Sequence, residues 1–237
     1  MRALILPGLD GTGKLLTDFV EALKPDVLAD VATYPSNVAM KYDGLTEFVE
    51  ENFLPDEKFL LIGESFSGPI AIHLATKLPN RIIGLVLCAT FAKSPRAWLR
   101  LFRRLLNLPL PIPPIELINR FMMDRWITTG WKDRIRIAVN TLRPEVARKR
   151  LSEVLTVDAS TELAGVGCPI LYLQATKDRL VPGSAWLHIR SVAPHAHLAT
   201  IEGPHFLLQA NPHGAAEAIR SFACCIDGEH ADTERPC

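Results

Sequence analysis

The sequence contains no hydrophobic run that approaches the roughly 20 residues a membrane-spanning helix needs, so no membrane span is predicted. It also has no net charge, because 26 basic residues balance 26 acidic ones, and no overall basic field points to nucleic acid. The 237 residues are 48% hydrophobic and 22% charged, which is typical of a globular protein rather than a disordered one. That length suits one large domain, or one domain with an insertion.

Motifs that bind metals are also missing. The sequence has no Cys-x-x-Cys pair and no His-Glu-x-x-His segment, so it gives no support for a metal site. Its five cysteines are odd in number and two of them are adjacent, which does not fit the disulfide framework of a small secreted protein. We therefore expect reduced cysteines and a location in the cytoplasm.

Apolar strand-like runs alternate with helical patterns along most of the chain, as in a parallel sheet that helices cover. Strands are predicted at 3–6, 30–34, 58–63, 82–89, 170–175 and 197–202. Helices are predicted at 14–23, 45–53, 68–78, 183–192 and 212–225. The predicted fold class is α/β, with a mostly parallel sheet of about six strands formed by residues 1–91 and 161–227.

Residues 92–160 interrupt this alternation. Prolines cut the stretch into short helical segments with no strand pattern, at positions 95, 109, 111, 113 and 114. We interpret it as an inserted helical cap; the alternative is that these helices simply pack on the sheet. The polar tail at 228–237 is predicted to be disordered.

A short segment around Ser65 predicts a nucleophile elbow. An apolar run at 59–61 leads into Gly-Glu-Ser-Phe-Ser-Gly at positions 63–68, and a helical pattern follows. In such an elbow the residues two before and two after the serine must be small, because strand and helix approach closely there. Gly63 meets this demand, while Ser67 stands where glycine is usual. The competing interpretation is an ordinary serine at the start of a helix.

A serine hydroxyl needs a base to take its proton, and the base needs a partner that holds its tautomer. Asp178 and His205 each come directly after one of the last two predicted strands, where both side chains can reach the same edge of the sheet. The alternatives are an aspartate that only stabilises a turn or caps a helix, and a histidine in a surface turn.

The loop at 7–13 follows the first predicted strand and reads Pro-Gly-Leu-Asp-Gly-Thr-Gly. Its glycines let the backbone turn and expose N–H groups, so the N–H of Leu9 is predicted to bind an oxyanion together with the N–H of Phe66. Residues 8–15 also nearly match a phosphate-binding loop, but Leu15 stands where a hydroxyl should bind Mg²⁺. A nucleotide hydrolase is therefore a remote alternative.

Together these segments resemble the α/β-hydrolase superfamily. The elbow, Thr-Lys-Asp-Arg-Leu-Val-Pro at 176–182 and Glu-Gly-Pro-His-Phe at 202–206 occur in that family's order, each at a strand end. The likeness covers about residues 3–226 and implies a compact member, because the family's first two strands have no counterpart. The loop at 7–13 replaces the His-Gly common in the family and is similar to loops of thioesterase-like and acyltransferase-like members.

The resemblance implies a serine carboxylesterase for short-to-medium acyl chains, which forms an acyl-enzyme and needs no cofactor. Ser65 would be the nucleophile, His205 its base and Asp178 the residue that orients His205. An acyl thioesterase, an acyl-carrier-protein ester hydrolase or an acyltransferase would use the same residues. A non-catalytic binding protein on the same fold is a further alternative.

The predicted cap is rich in basic and aromatic residues. It has fourteen basic residues against six acidic ones, a balance of +8, and three of the four tryptophans. Four of its aromatic residues are predicted to bind substrate: Trp98, Phe102, Phe121 and Trp126. Spacings of three and four would place several arginines on one helix face, at positions 96, 100, 103 and 104, beside the acyl pocket. This favours an acidic acyl carrier protein as a partner; the alternative is a solvated basic surface.

Overall fold

A computed structural model of the chain describes residues 1–96, 98–101, 103 and 115–233. Six strands form one sheet in the order β2-β1-β3-β4-β5-β6, and every neighbouring pair is parallel. The strands are β1 (Arg2–Leu6), β2 (Leu28–Val31), β3 (Phe59–Glu64), β4 (Ile82–Cys88), β5 (Ile170–Ala175) and β6 (His197–Ile201). The predicted α/β fold class is confirmed.

Helices cover both faces of this sheet. The helices of the described residues are α1 (Thr17–Leu23), α2 (Tyr42–Asn52), α3 (Gly68–Lys77), α4 (Ile115–Met122), α5 (Thr129–Thr141), α6 (Pro144–Val154), α7 (Ser160–Ala164), α8 (Ser184–Val192), α9 (Leu207–Ala210) and α10 (Pro212–Thr233). One apolar core packs α2, α3, α7 and α8 on one face, and a second packs α1 and α10 on the other. Every residue of β3 is buried, because both of its faces are covered.

Strand β2 and helix α10 differ most from their predicted positions. Strand β2 pairs Leu28 with Arg2 and ends at Val31, earlier than the predicted 30–34. Beyond this strand, Tyr34 donates its N–H to the Gly11 carbonyl at 2.7 Å, so it packs on the loop after β1 instead of extending the sheet. Helix α10 continues to Thr233 and so includes the first residues of the predicted tail.

The segment between β4 and β5 is a helical insertion that contains α4 to α7. Its two ends pair with each other: Ser94 donates its N–H to the Val157 carbonyl at 2.9 Å, and Ala159 donates to the Ala92 carbonyl at 2.8 Å. Met122 of α4 accepts a hydrogen bond of 3.0 Å from the N–H of Phe206, which lies in the loop after β6. The insertion therefore covers the edge of the sheet where the strands end.

Among the described helices, none combines the length and the apolarity that crossing a bilayer requires.

Candidate active site

The chain turns abruptly at Ser65, at the carboxyl end of β3. Ser65 has a φ of 48°, in the left-handed region that residues other than glycine rarely occupy. A 3-10 turn over Ser65–Ser67 leads directly into α3. A Cβ atom on Gly63 would lie 2.8 Å from the Cβ of Ala71, so β3 and α3 approach too closely for a larger residue there. This is the backbone geometry of a nucleophile elbow.

Ser67 occupies the elbow position where glycine is usual, and its contacts explain the serine. The side chain is fully buried, and its hydroxyl donates a short hydrogen bond to the Pro7 carbonyl. The hydroxyl of Tyr34 lies 2.6 Å from Oγ of Ser67 and donates to it, since the Ser67 proton is already donated to Pro7. Ser67 therefore joins the elbow to the loop that follows β1.

Three side chains from three strand ends form one hydrogen-bonded chain. The Oγ of Ser65, after β3, lies 2.8 Å from Nε2 of His205, after β6. The Nδ1 of the same ring lies 2.8 Å from Oδ2 of Asp178, after β5. If Nδ1 carries the ring proton, Nε2 is free to accept the Ser65 proton. The structure thus brings together all three residues that the sequence singles out for nucleophilic chemistry.

The carboxylate of Asp178 is held from the side opposite His205. Its Oδ1 accepts hydrogen bonds from the N–H groups of Leu180 at 2.8 Å and Val181 at 2.9 Å. Asp178 therefore stabilises its own turn and orients the histidine as well, with one oxygen for each task. His205 is only 3% exposed, which does not fit a histidine in a surface turn.

Thr90, which was not among the predicted site residues, supports the elbow from the end of β4. Its hydroxyl donates a short hydrogen bond to the Ser65 carbonyl, and its own carbonyl accepts from the hydroxyl of Tyr172 at 2.8 Å. Thr90 and Tyr172 are both buried. A polar residue directly after an apolar strand was the available signal for Thr90.

The loop after β1 runs beside Ser65, and its backbone is fixed at several points. Gly8 donates its N–H to Oε2 of Glu64 at 3.0 Å, and its carbonyl accepts from the Gly11 N–H at 3.0 Å. Within the described residues, the N–H of Leu9 donates to no protein acceptor. Phe66 lies at the start of the 3-10 turn, where the first N–H groups have no acceptor inside the helix. Both N–H groups can therefore serve an external oxygen.

Glu64 is a buried carboxylic acid directly before Ser65, and it was not among the predicted site residues. Its Oε1 accepts from the side-chain amide of Gln209 at 2.8 Å, in addition to the Gly8 bond. Burial raises the pKa of Glu64 to about 7, although the bond from Gln209 acts in the opposite direction. Glu64 therefore gains or loses its proton near neutral pH.

Two apolar cavities meet at Ser65, and we call them cavity A and cavity B. Cavity A has a volume of about 400 Å³, and its apolar lining includes Leu15, Ile118, Ile135, Ala138, Val139 and Leu142. Cavity B has a volume of about 480 Å³, and its apolar lining includes Phe66, Phe91, Leu99, Val154, Leu155 and Val181. Leu9, Ser65 and His205 line both cavities. The hydroxyl of Ser65 thus lies between two spaces that suit apolar groups.

The aromatic residues predicted to bind substrate do not line these cavities where they are described. Trp98 is 59% exposed and Phe121 is 40% exposed. The ring of Trp126 packs against the guanidinium of Arg125, 4.4 Å from the ring centroid. Phe102 lies outside the described residues. The insertion contributes aliphatic side chains to both cavities instead, because composition does not reveal which face of a short helix turns inward.

The arginines predicted to form a basic face are partly used inside the chain. Arg96 donates to the carbonyl groups of Arg179 at 2.9 Å and Leu180 at 3.3 Å. Arg103 donates to the Ser152 hydroxyl at 2.8 Å, whereas Arg100 is exposed. Arg104 lies outside the described residues.

Residues 8–15, which nearly match a phosphate-binding loop, make other contacts in this structure. The N–H of Gly8 is taken by Glu64, Lys14 is exposed, and Leu15 is buried in the lining of cavity A. In the part of the chain that the structure describes, no three side chains of His, Cys, Asp or Glu are grouped so as to hold a metal ion.

Solved structures similar to this chain include several hydrolases. A thermophilic esterase from Thermogutta terrifontis has a TM-score of 0.78 at 21% identity, covering 95% of this chain and 90% of that chain. A hydrolase from Oleispira antarctica has a TM-score of 0.79 at 17% identity, covering 93% of this chain and 90% of that one. At such identities the likeness shows the fold alone. No curated protein matches the sequence.

A family model described as the alpha/beta hydrolase family matches residues 3–218. That match extends over most of the chain and includes Ser65, Asp178 and His205. The protein therefore belongs to the alpha/beta hydrolase family.

Proposed function

We propose that the protein is a serine hydrolase that cleaves carboxylic esters of short-to-medium acyl chains through an acyl-enzyme. The observation that carries the proposal is the hydrogen-bonded chain from Ser65 through His205 to Asp178, placed where two apolar cavities meet. Membership of the alpha/beta hydrolase family agrees with it.

In the first half of the reaction, Ser65 attacks the ester carbonyl. Its Oγ forms a bond to the carbonyl carbon while its proton passes to Nε2 of His205, 2.8 Å away. The ring is then positively charged, and Asp178 stabilises that charge through Nδ1 at 2.8 Å. Collapse of the tetrahedral intermediate breaks the bond to the alcohol oxygen, which leaves with the proton from Nε2.

In the second half, water replaces the alcohol. His205 takes one proton from the water as its oxygen bonds to the acyl carbon. When the second tetrahedral intermediate collapses, the acid leaves and Ser65 recovers its proton from His205. The protein returns to its starting state, and no cofactor takes part in either half.

The carbonyl oxygen gains negative charge in both tetrahedral intermediates, and we assign its binding to the N–H groups of Leu9 and Phe66. The Leu9 N–H donates to no acceptor among the described residues, and Leu9 lines both cavities beside Ser65. Donors of this kind that are fixed before the reaction are among the largest contributions to catalysis of acyl transfer.

Cavities A and B are proposed to hold the two sides of the ester. Their linings are mostly aliphatic and aromatic, and volumes of about 400 and 480 Å³ accommodate apolar groups of limited length. Residues 92–160 are proposed to act as a cap, because α4 and α6 of this segment contribute to both linings and α5 contributes to that of cavity A. We also propose a cytoplasmic location, because the four cysteines that the structure describes are all free thiols.

Ester hydrolysis is tested with p-nitrophenyl esters of increasing acyl length and with a fluorophosphonate that labels reactive serines. Ser65→Ala should reduce kcat/KM by on the order of 10³-fold or more and abolish the label, because the nucleophile is lost. The matched control is Ser191→Ala, which removes an exposed hydroxyl whose only described bond is to the His188 carbonyl. That variant should keep both activity and label.

A label on any serine other than Ser65, or full activity in Ser65→Ala, would refute the assignment. The same panel should include acyl thioesters, because an acyl thioesterase or acyltransferase would use the same three residues. A preference of thioesters over oxygen esters by more than about tenfold in kcat/KM would replace the carboxylesterase with a thioesterase.

A further inference from the structure

We propose that Arg150 of the cap helix α6 is a positioning residue that holds the Leu9 N–H in the orientation needed to bind the oxyanion. The inference rests on the proposed function. It makes the cap part of the catalytic apparatus, beyond its role in lining the cavities.

Arg150 connects the cap to the loop after β1. Its Nη1 donates to the Leu9 carbonyl at 2.7 Å, and its Nη2 donates to the Pro35 carbonyl at 3.0 Å. The residue is only 1% exposed, although it comes from a helix 141 residues further along the chain than Leu9. A planar guanidinium that bridges two carbonyl groups fixes both of them at once.

The other backbone groups around the Leu9 N–H are fixed too. The Gly8 N–H is held by Glu64, and the Gly8 carbonyl is held by the Gly11 N–H. Because a trans peptide directs its C=O and N–H to opposite sides, the bond to the Gly8 carbonyl turns the Leu9 N–H away from Gly11. Arg150 fixes the following peptide group, so it completes the set of bonds that orient this N–H.

The surroundings of Arg150 are shaped for a guanidinium. A Cβ on Gly11 would lie 2.5 Å from Nη1, and Gly11 has a φ of 70°, so glycine leaves the space and permits the turn. The guanidinium carbon lies 5.4 Å from the ring centroid of Tyr34 and 5.9 Å from that of Phe66. Arg150 thus contacts the residues of both proposed oxyanion donors.

The charge of Arg150 is costly for stability alone. Within the described residues Arg150 forms no direct ion pair; its hydrogen-bond acceptors are neutral carbonyl groups, and the carboxylate of Asp10 acts on it only from beyond ion-pair distance. Burying a cation without a direct ion-pair partner costs free energy that an apolar residue of similar length would not. The positive charge of Arg150 beside Leu9 and Phe66 favours negative charge on an oxygen bound between their N–H groups. This role explains why a buried arginine occupies the position.

The test compares Arg150→Met and Arg150→Lys with Arg143→Met, which removes an exposed positive charge at the start of the same helix. Three quantities are measured: kcat and KM for a p-nitrophenyl ester, and the rate of hydrogen–deuterium exchange of the peptide that contains residues 8–11. Removing one oxyanion donor typically costs about 10²–10³-fold in kcat, so misplacing one should cost about 10–100-fold.

We expect Arg150→Met to lower kcat by that factor with KM unchanged within about twofold, and to speed exchange at residues 8–11. Arg150→Lys keeps the charge but lacks the fork that bridges two carbonyl groups, so its kcat should lie between those of Arg150→Met and the wild type. Arg143→Met should match the wild type in all three quantities.

The kcat-to-KM comparison separates positioning from general structural damage. Ala147 and Leu151 of α6 line cavity A, so a displaced helix would raise KM. Unchanged kcat in Arg150→Met, or a rise in KM that accounts for the whole loss, overturns the proposal. If the wild type cleaves no ester, the proposed function fails. Unchanged exchange at residues 8–11 in Arg150→Met would by itself refute the claim that Arg150 fixes the Leu9 peptide, whatever the activity. Where Arg150→Met does not fold, the same criteria apply to Arg150→Lys.

Discussion

Replacing Glu64 by glutamine should make the folded protein less sensitive to pH. The carboxyl group of Glu64 is buried directly before Ser65, and burial raises its pKa from an ordinary value of 4.5 to about 7. Glutamine has nearly the same shape and carries no charge, so Glu64→Gln removes the titration with little change in packing.

The direction in which pH changes the free energy of unfolding follows from the number of protons bound in the folded and unfolded states. Between pH 4.5 and about 7 the folded protein keeps the proton on Glu64, whereas the unfolded chain has already released it. The unfolded state binds fewer protons there, so the free energy of unfolding falls as the pH rises through this window. A pKa difference of roughly 2.5 units corresponds to about 3 kcal/mol, a loss that is complete above the folded-state pKa.

The hydrogen bonds of Glu64 need not be lost in the variant. The introduced amide oxygen can accept from the Gly8 N–H, as Oε2 does now at 3.0 Å. The introduced amide nitrogen needs an acceptor, and Oε1 of Gln209 is buried without a hydrogen-bond partner. If the amide of Gln209 turns over, that oxygen faces the new donor, and both contacts are kept.

The measurement is urea-induced unfolding of wild type, Glu64→Gln and the exposed control Glu51→Gln at pH 4, 6 and 8. Relative to the wild type, Glu64→Gln should be more stable at pH 8 than at pH 4 by about 3 kcal/mol, because only the wild type loses stability as Glu64 ionises. The control should show no such trend. A difference between Glu64→Gln and wild type that does not vary with pH would refute the reasoning.

Two further predictions concern the proposed activity. Asp178→Asn and His205→Ala should each lower kcat by on the order of 10³-fold or more, and the double variant should be little worse than the worse single one, because these residues act as a unit. Losses that multiply would show two independent roles. Added salt should lower kcat/KM for an ester on an acyl carrier protein but not for a small neutral ester, and Arg100→Glu should reproduce that selective loss. Equal responses of both substrates would leave the basic cap as a solvated surface.

The positions of Ser65, Asp178 and His205 could be predicted because each depends on a local signal. All three follow a predicted strand, and parallel strands that alternate with helices end at one edge of the sheet. The direction of each strand is therefore enough to bring the three side chains to the same region. The structure places them within hydrogen-bonding distance in the expected order.

The residues that support the site could not be predicted in this way. Arg150 contacts a carbonyl 141 residues away, and the Gln209 amide contacts Glu64 across 145 residues. No pattern in the neighbouring sequence records such a partner. The cavity linings were missed for a related reason, since the inward face of each cap helix depends on how the insertion packs.

The sequence by itself determined the layers of this protein and the strand ends that carry Ser65, Asp178 and His205, because hydrophobic periodicity and turn residues act over a few positions. Only the tertiary structure decided which groups surround them: the carboxylic acid of Glu64 near its titration point, the clamp from Arg150 to Leu9, and the apolar spaces on either side of Ser65. These properties depend on burial and on distances between residues far apart in the chain, and such quantities exist only once the chain is packed.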